Sequence, residues 1–85
     1  MADEPDAEAM AEQLANFDVE QFLVAAASSL ASLAFAKLEK GDLAQSKKAI
    51  DALASLLPHV TGELRSDLEQ ALVNLQVAYA TTVSG

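Results

Sequence analysis

The side chain best suited to proton transfer near neutral pH is His59, the one histidine of the chain. It follows Pro58 in a short turn segment, and the sequence offers no second histidine and no cysteine to share a metal ion with it. No serine can be placed beside it from the sequence. We therefore interpret His59 as an exposed turn residue or a charge partner for a helix C-terminus, with a catalytic or ligand role as the alternative.

Hydroxyl side chains are numerous, but none stands in a sequence that activates a nucleophile. The candidates are Ser28, Ser29, Ser32, Ser46, Ser55, Ser66, Thr81 and Thr82. A serine nucleophile of the hydrolase type sits in a Gly-x-Ser-x-Gly turn, which the chain lacks. We expect these hydroxyls to serve packing and helix capping.

Carboxylates cluster at two places in the sequence. One group is Glu63, Asp67 and Glu69 near Arg65, and the other is Asp3, Glu4, Asp6, Glu8 and Glu12. Arg65 and Glu69 have the spacing of an ordinary ion pair on a helix surface, so we interpret the first group as a solvated face. The second lacks the Asp-x-Asp-x-Asp-Gly spacing of a calcium loop. It is interpreted as a solubilising tail, with docking to a basic partner as the alternative.

Tyr79, the only tyrosine, falls on the same side of a predicted helix as Leu75, so we expect its ring to pack and its hydroxyl to reach the rim. The glycines form no phosphate-binding loop and no dinucleotide fingerprint. We accordingly predict a protein that is not an enzyme, with no catalytic residue, no cofactor and no metal site.

Charge and composition narrow the partners further. The chain has 5 basic and 13 acidic residues, a formal charge of −8, which repels nucleic acid. The first basic residue is Lys37, so the N-terminus lacks the basic region of a secretory signal, and the absence of cysteine is compatible with a reducing compartment. Residues 21–36 carry no charge but are shorter than the roughly 20 residues that span a bilayer. We expect a cytoplasmic protein in which this stretch is a buried helix.

Two segments are expected along the chain. Residues 1–16 combine carboxylates with Pro5 and few large apolar side chains, which predicts a flexible or weakly helical acidic tail. Residues 17–85 are predicted to form one all-α domain of three helices, at about residues 19–40, 43–57 and 63–81, in an antiparallel up-down arrangement. Start and stop signals support these bounds: Asp18 and Asp42 can cap, while Gly41 and Pro58 end helices.

The first predicted helix is apolar or small on nearly all sides, and two neighbouring helices cannot cover all of that surface. The third has an apolar stripe beside its leucine seam. Surplus apolar surface of this kind usually marks an association site in a soluble protein. We therefore predict a homodimer that forms a helical bundle, with the first helix near the two-fold axis. The predicted interface residues are Phe22, Ala26, Leu30, Leu33, Val73 and Val77.

Short motifs between residues 22 and 79 have a familiar order. They are a small-residue helix, the turn Gly41-Asp42-Leu43-Ala44, Ile50-Asp51, Thr61-Gly62 and a closing Leu75-x-x-x-Tyr79. This order resembles the bacterial family catalogued as domain of unknown function 1844, although the third helix here carries less charge than is usual in that family. The resemblance covers about two thirds of the chain. It implies a small cytosolic α-helical protein and supplies no activity, because the family is uncharacterised.

The leading functional hypothesis is a dimeric helical module that binds itself and another, unidentified protein. One alternative is a peripheral membrane or lipid-binding protein that uses the uncharged face of the first helix, against which the net charge argues. Another is a tetratricopeptide-like peptide-binding hairpin over residues 41–58, of which only part of one repeat fits. A third is an enzyme subunit whose site is completed across a dimer interface.

Overall fold

The computed structural model describes residues 3–85, with side chains from residue 7 onward, and this part of the chain is all-α as predicted. Met1 and Ala2, which begin the predicted tail, lie outside the described residues. The elements are α1 (Asp3–Asn16), α2 (Val19–Glu39), α3 (Leu43–Leu56), a 3₁₀ turn (Leu57–His59) and α4 (Gly62–Ser84). The described chain thus has four α-helices, and the expectation of three was wrong.

The additional helix is α1, in the acidic segment that was expected to be a flexible or weakly helical tail. Pro5 does not interrupt it, because proline is tolerated in the first turn, where backbone N–H groups have no helical partner. The remaining residues are largely Ala, Glu, Met, Gln and Leu, which favour helix, and acidic side chains suit a helix N-terminus. Over the described residues, α1 packs against none of the other helices.

Helix α2 begins at the predicted residue and ends at Glu39, one residue before the predicted end. Asp18 Oδ1 accepts a hydrogen bond of 3.0 Å from the backbone N–H of Glu20. At the other end, Gly41 N–H donates to the carbonyl of Leu38 and Asp42 N–H donates to that of Lys37, over 3.0 and 2.9 Å. These are the two bonds of a Schellman motif, and they require the positive φ of +80° that Gly41 adopts.

Helices α3 and α4 differ slightly from their predicted bounds. Asp42 caps α3 by accepting from the N–H of Gln45 over 3.2 Å. Helix α3 ends at Leu56, one residue early, because Pro58 follows and the chain tightens into the 3₁₀ turn. Helix α4 starts after Thr61 and continues to Ser84, beyond the predicted residue 81, because no helix-breaking residue occurs before Gly85.

The core lies where α2 packs against α3 and α4. Its buried apolar residues are Ala27, Ala34, Ala49, Ile50, Leu53, Leu57, Val60, Leu68 and Leu75. Only Leu53, Leu75 and Val60 among the large ones are fully buried, so the core is thin. Small side chains at positions 27, 34 and 49 allow α2 and α3 to approach closely. A core of this size makes a small domain only marginally stable.

Candidate functional site

The residues that could carry acid–base or metal chemistry are dispersed over the surface. His59 is exposed in the 3₁₀ turn, and no hydrogen bond joins its side chain to any described residue. Among the described side chains, no group of three or more His, Cys, Asp or Glu residues is close enough together to hold a metal ion. The carboxylates near the start of α4 lie on an exposed face, where Arg65 Nε donates to Glu69 Oε2 over 3.0 Å. The ion pair at this spacing was predicted.

Some of the hydroxyl groups form hydrogen bonds within the described structure, and others are exposed to solvent. Ser46 is fully buried and donates to the carbonyl of Ala34 over 3.0 Å. Ser55 donates to the carbonyl of Asp51 within its own helix, and Thr82 donates likewise to Ala78. The remaining cluster, at positions 28, 29 and 32, is exposed on α2. Packing accounts for Ser46, as predicted. Ser55 and Thr82 bond within their own helices and do not cap a helix, which differs from the prediction.

One polar contact was not predicted from the sequence. Glu20 Oε2 accepts hydrogen bonds from the backbone N–H and the hydroxyl of Thr61, over 3.0 and 2.9 Å. These bonds stabilise the carboxylate and lower the pKa of Glu20 below its ordinary value, the backbone bond having the larger effect. The contact ties the start of α2 to the start of α4 across 41 positions. Thr61 is the N-cap residue of α4, but its hydroxyl caps no N–H of that helix.

The aromatic residues show where apolar surface is left over. Tyr79 is half-buried and packs against the core, as predicted. All three phenylalanines are exposed instead: Phe17 is 48% exposed, Phe22 61% and Phe35 41%. Phenylalanine is usually among the most buried residues, because its ring buries a large apolar area. The three rings therefore leave apolar surface that the described residues do not cover.

Helix α2 is the main carrier of this surface. The expectation that it is a buried helix was wrong, since only 17% of its most apolar 18-residue window is buried by the rest of the chain. One side, with Ala27 and Ala34, faces the core. The opposite side presents Phe22, Ala25, Ser29, Ser32 and Ala36, all exposed, at alternating intervals of three and four residues. That spacing keeps them in a single stripe along the helix.

This outer stripe of α2 has a shallow depression in its second half. Ser28, Ser29, Ser32, Leu33 and Ala36 line about 540 Å³ of open space. The absence of charge from residues 21–36, together with small side chains at the centre, leaves a smooth surface on which another helix can come close. Its polar groups are the three serine hydroxyls, and no charged side chain lines it.

The predicted interface residues are divided by the structure. Phe22 lies within the outer stripe of α2 and Leu33 is exposed beside it, whereas Ala26 is half-buried and Leu30 packs partly against the core of its own chain. Val73 and Val77 are exposed on α4. By helical geometry they lie on the side of α4 opposite to the buried Leu68 and Leu75, so they form a face separate from that of α2.

Further concave regions border α2, and two of them are mainly apolar. At its start, the corner with α1 is lined by Met10, Gln13, Leu14, Phe17 and Phe22 and encloses about 270 Å³. Toward its end, a smaller groove of about 150 Å³ runs between α2 and α3. Its lining residues are Leu30, Leu33, Lys37, Gln45, Lys48, Ala49 and Ala52. The first region is apolar throughout apart from Gln13, and the second has an apolar floor with two lysines at its edge.

Helix α2 is long and apolar enough to cross a membrane, and among the described residues it is the one helix of which this is true. The core helix of a soluble protein or a signal sequence can have the same length and composition. The uncharged stretch has 16 residues, whereas the helix that contains it has 21. The length of α2 therefore does not exclude a membrane, contrary to the prediction from the uncharged stretch alone.

Comparisons with known proteins add no relative: the chain matches no protein-family model, no curated protein and no solved structure. The resemblance to the uncharacterised bacterial family stays a prediction. Any function must therefore be argued from the surface of the molecule itself.

Proposed function

We propose that the chain is a non-enzymatic, cytoplasmic helical module for protein–protein interaction that acts as a homodimer through the outer stripe of α2. The observation that carries this proposal is the exposure of α2, of whose most apolar window only 17% is buried. At about 25 cal/mol per Å² of apolar surface removed from water, covering this helix is strongly favourable. A second copy presents an identical uncharged surface.

The stripe is suited to pairing with itself. Ala25, Ser29, Ser32 and Ala36 are small, so two α2 helices can approach closely, and Phe22 and Leu33 can pack at the edges of the contact. In a two-fold dimer each patch contacts the same patch of the other copy. We place the axis near Ser29, at the centre of the stripe, with the two helices antiparallel. Each copy then contributes an up-down set of α2, α3 and α4 to one bundle.

The exposed valines of α4 form a different part of the proposal. Val73 and Val77 lie on the side of α4 that faces away from the core, so they cannot lie at the same two-fold contact as the α2 stripe. We assign them to a contact outside the α2 pair, where another protein would bind. This assignment predicts that substitutions at these valines leave the dimer intact.

The test is the molar mass of the full chain and of two matched variants, measured by light scattering after size-exclusion chromatography at several concentrations. Ser29→Arg places a large cation at the centre of the stripe, and Ser66→Arg makes the same change on the exposed face of α4. We expect twice 8.9 kDa for the wild type and for Ser66→Arg, and a shift toward 8.9 kDa for Ser29→Arg. A wild-type monomer over the whole concentration range would refute the homodimer.

A second candidate function is favoured by one specific observation, the membrane-compatible length and composition of α2. In this proposal the same helix lies on or in a lipid bilayer. The chain charge of −8 opposes binding to anionic lipid, so zwitterionic vesicles are the stronger test. Flotation of the protein with phosphatidylcholine vesicles would support this function, and complete retention in the soluble fraction with both zwitterionic and anionic vesicles would eliminate it.

A further inference from the structure

We infer that α1 is an exchanged arm: in the homodimer, the α1 helix of one copy docks into the groove between α2 and α3 of the other. This inference rests on the proposed homodimer and adds to it the role of α1 and the identity of what fills the groove. Three independent features support it, namely an unsupported apolar face on α1, complementary charge, and the reach of the chain.

The first feature is the face of α1. Met10 and Leu14 are four residues apart, and Phe17 follows three residues later, so all three lie along one side. Met10 is 60% exposed and Leu14 71%. A helix of 14 residues is marginal in water when nothing packs against it. The helix therefore needs an apolar surface that its own fold, over the described residues, does not supply.

The second feature is charge. Five carboxylates and no cation occur between residues 3 and 12. Lys37 and Lys48 line the groove together with Leu30 and Leu33. Lys47 forms a 2.9 Å salt bridge with Asp51, but no described side chain forms one with Lys37 or Lys48. Among the described side chains, the groove thus combines two lysines that have no ion-pair partner with apolar residues, which matches an acidic helix with an apolar side.

The third feature is reach, which favours the second copy over the same chain. Only Phe17 and Asp18 separate α1 from α2. If α1 folded back on its own α2, Met10 would reach about 14 Å from Val19 along the helix axis, at 1.5 Å per residue. Leu30, the groove residue nearest Val19, lies about 17 Å from it, Leu33 about 21 Å and Lys37 about 27 Å. In their own chain, Met10 and Leu14 therefore reach only toward Leu30 and stop short of Leu33 and Lys37.

Antiparallel pairing of two α2 helices removes this difficulty. With the two-fold axis near Ser29, position 18 of one copy lies opposite position 40 of the other. The C-terminal end of α1 of the second copy then lies beside the C-terminal end of α2 of the first copy. The groove and its lysines lie at that end of α2. A bend at the short α1–α2 connection lays Leu14 and Met10 of the second copy over Leu33 and Leu30.

A disulfide-trapping experiment tests the docking, since the natural chain has no cysteine. Unlabelled Met10→Cys protein is mixed with ¹⁵N-labelled Leu33→Cys protein, equilibrated so that subunits exchange, and oxidised. The intact mass of each disulfide-linked dimer then reports which chains were joined. The matched control replaces the second protein by labelled Val77→Cys, whose position is as exposed but lies on α4. Circular dichroism verifies that each variant is helical.

We expect a dimer of mixed isotopic mass from Met10→Cys with Leu33→Cys, at least several times more abundant than from the control pair. Equal yields from both pairs would mean random collision and would overturn the exchanged arm. A light-scattering dimer that gives no mixed disulfide would overturn the arm while leaving the homodimer standing. A light-scattering monomer with no mixed disulfide would refute the two proposals together.

Discussion

The hydroxyl of Ser46 donates a 3.0 Å hydrogen bond to the backbone carbonyl of Ala34, and both residues are fully buried where α3 packs against α2. Ser46 is the one buried polar residue among the described side chains, and this bond satisfies it. A larger side chain at either position would separate α2 and α3. The two small residues and the bond between them therefore set how closely α3 approaches α2, the helix that supplies the proposed interface.

Ser46→Ala should lower the free energy of unfolding by about 1 kcal/mol, the usual net contribution of an internal hydrogen bond. The loss is limited because the Ala34 carbonyl, in the interior of α2, keeps its helical hydrogen bond. Ser55→Ala is the control, since the Ser55 hydroxyl is exposed and bonds only within its own helix. Urea unfolding followed by circular dichroism measures both. A Ser46→Ala variant as stable as the control would show that the bond contributes nothing.

Glu20→Gln should make the unfolding midpoint less dependent on pH. The two bonds from Thr61 lower the pKa of Glu20, so its carboxylate stabilises the fold above the ordinary pKa of 4.5. That contribution disappears as the pH falls through the lowered pKa of the folded state. We expect a lower urea midpoint for the variant than for the wild type at pH 7, and a smaller difference at pH 3. Urea titrations at the two pH values measure it.

The control for this experiment is Asp67→Asn, because Asp67 is exposed on α4 and accepts none of the side-chain hydrogen bonds found among the described residues. Its urea midpoint should follow that of the wild type at both pH values. If Glu20→Gln behaved like Asp67→Asn, the contact between the starts of α2 and α4 would not contribute to stability.

Gly41→Ala should destabilise the fold by roughly 1–2 kcal/mol, the cost of holding a residue with a Cβ in the left-handed region. Gly41 has a φ of +80°, and a Cβ there would meet no atom within 4 Å, so the cost comes from the backbone alone. Gly41→Asn should cost less, because asparagine tolerates this conformation better. Thermal unfolding of both variants measures the order, and Gly41→Ala as stable as Gly41→Asn would contradict this reason.

Local signals in the sequence were sufficient for most of the fold. Asp18, Gly41 and Asp42 act within a few residues of their own positions, and each occupies the cap or turn that its type favours. The helix in residues 3–16 was harder to predict, because a proline and several carboxylates are typical of disordered segments. Pro5 lies in the first turn of α1, where proline is tolerated, and carboxylates near a helix N-terminus are favourable.

The candidate surface was less accessible to sequence reasoning. A helix that is apolar all round is typical of a buried helix, so the exposure of Phe22 and Phe35 could not be read from the pattern alone. Which side of α2 is covered depends on how α3 and α4 pack, and this is set by contacts between residues far apart in sequence. The bond between Glu20 and Thr61 was missed for the same reason, since no periodicity links positions 41 apart.

Phe22→Glu should weaken the proposed dimer without destabilising the monomer. The ring is 61% exposed within a single chain, so its removal creates no cavity there, and exposed substitutions usually change stability by less than about 0.5 kcal/mol. In the dimer, the new carboxylate would be buried against an uncharged helix, which is costly. Sedimentation equilibrium should show a dissociation constant at least tenfold higher. Val77→Glu, an equally exposed control on α4, should leave the constant unchanged.

Lys48→Glu should weaken the dimer mainly through the exchanged arm, and the effect should depend on salt. The substitution places a carboxylate at the edge of the groove, where the acidic α1 of the second copy is proposed to lie. Repulsion between exposed charges is screened as ionic strength rises, with a screening length of about 10 Å at 0.1 M and 3 Å at 1 M. The dissociation constant of the variant should therefore exceed that of the wild type at low salt and approach it at 1 M.

Lys47→Glu is the matched control, because this substitution makes the same change in charge one position earlier on α3. Lys47, unlike Lys48, does not line the groove. It breaks the salt bridge with Asp51, an exposed pair whose loss should affect the monomer and not the dimer. Sedimentation at both salt concentrations, with chains that carry and lack residues 1–16, separates the contributions. If Lys48→Glu weakened the truncated dimer as much as the full-length one, the lysine would act on the α2 contact and not on α1.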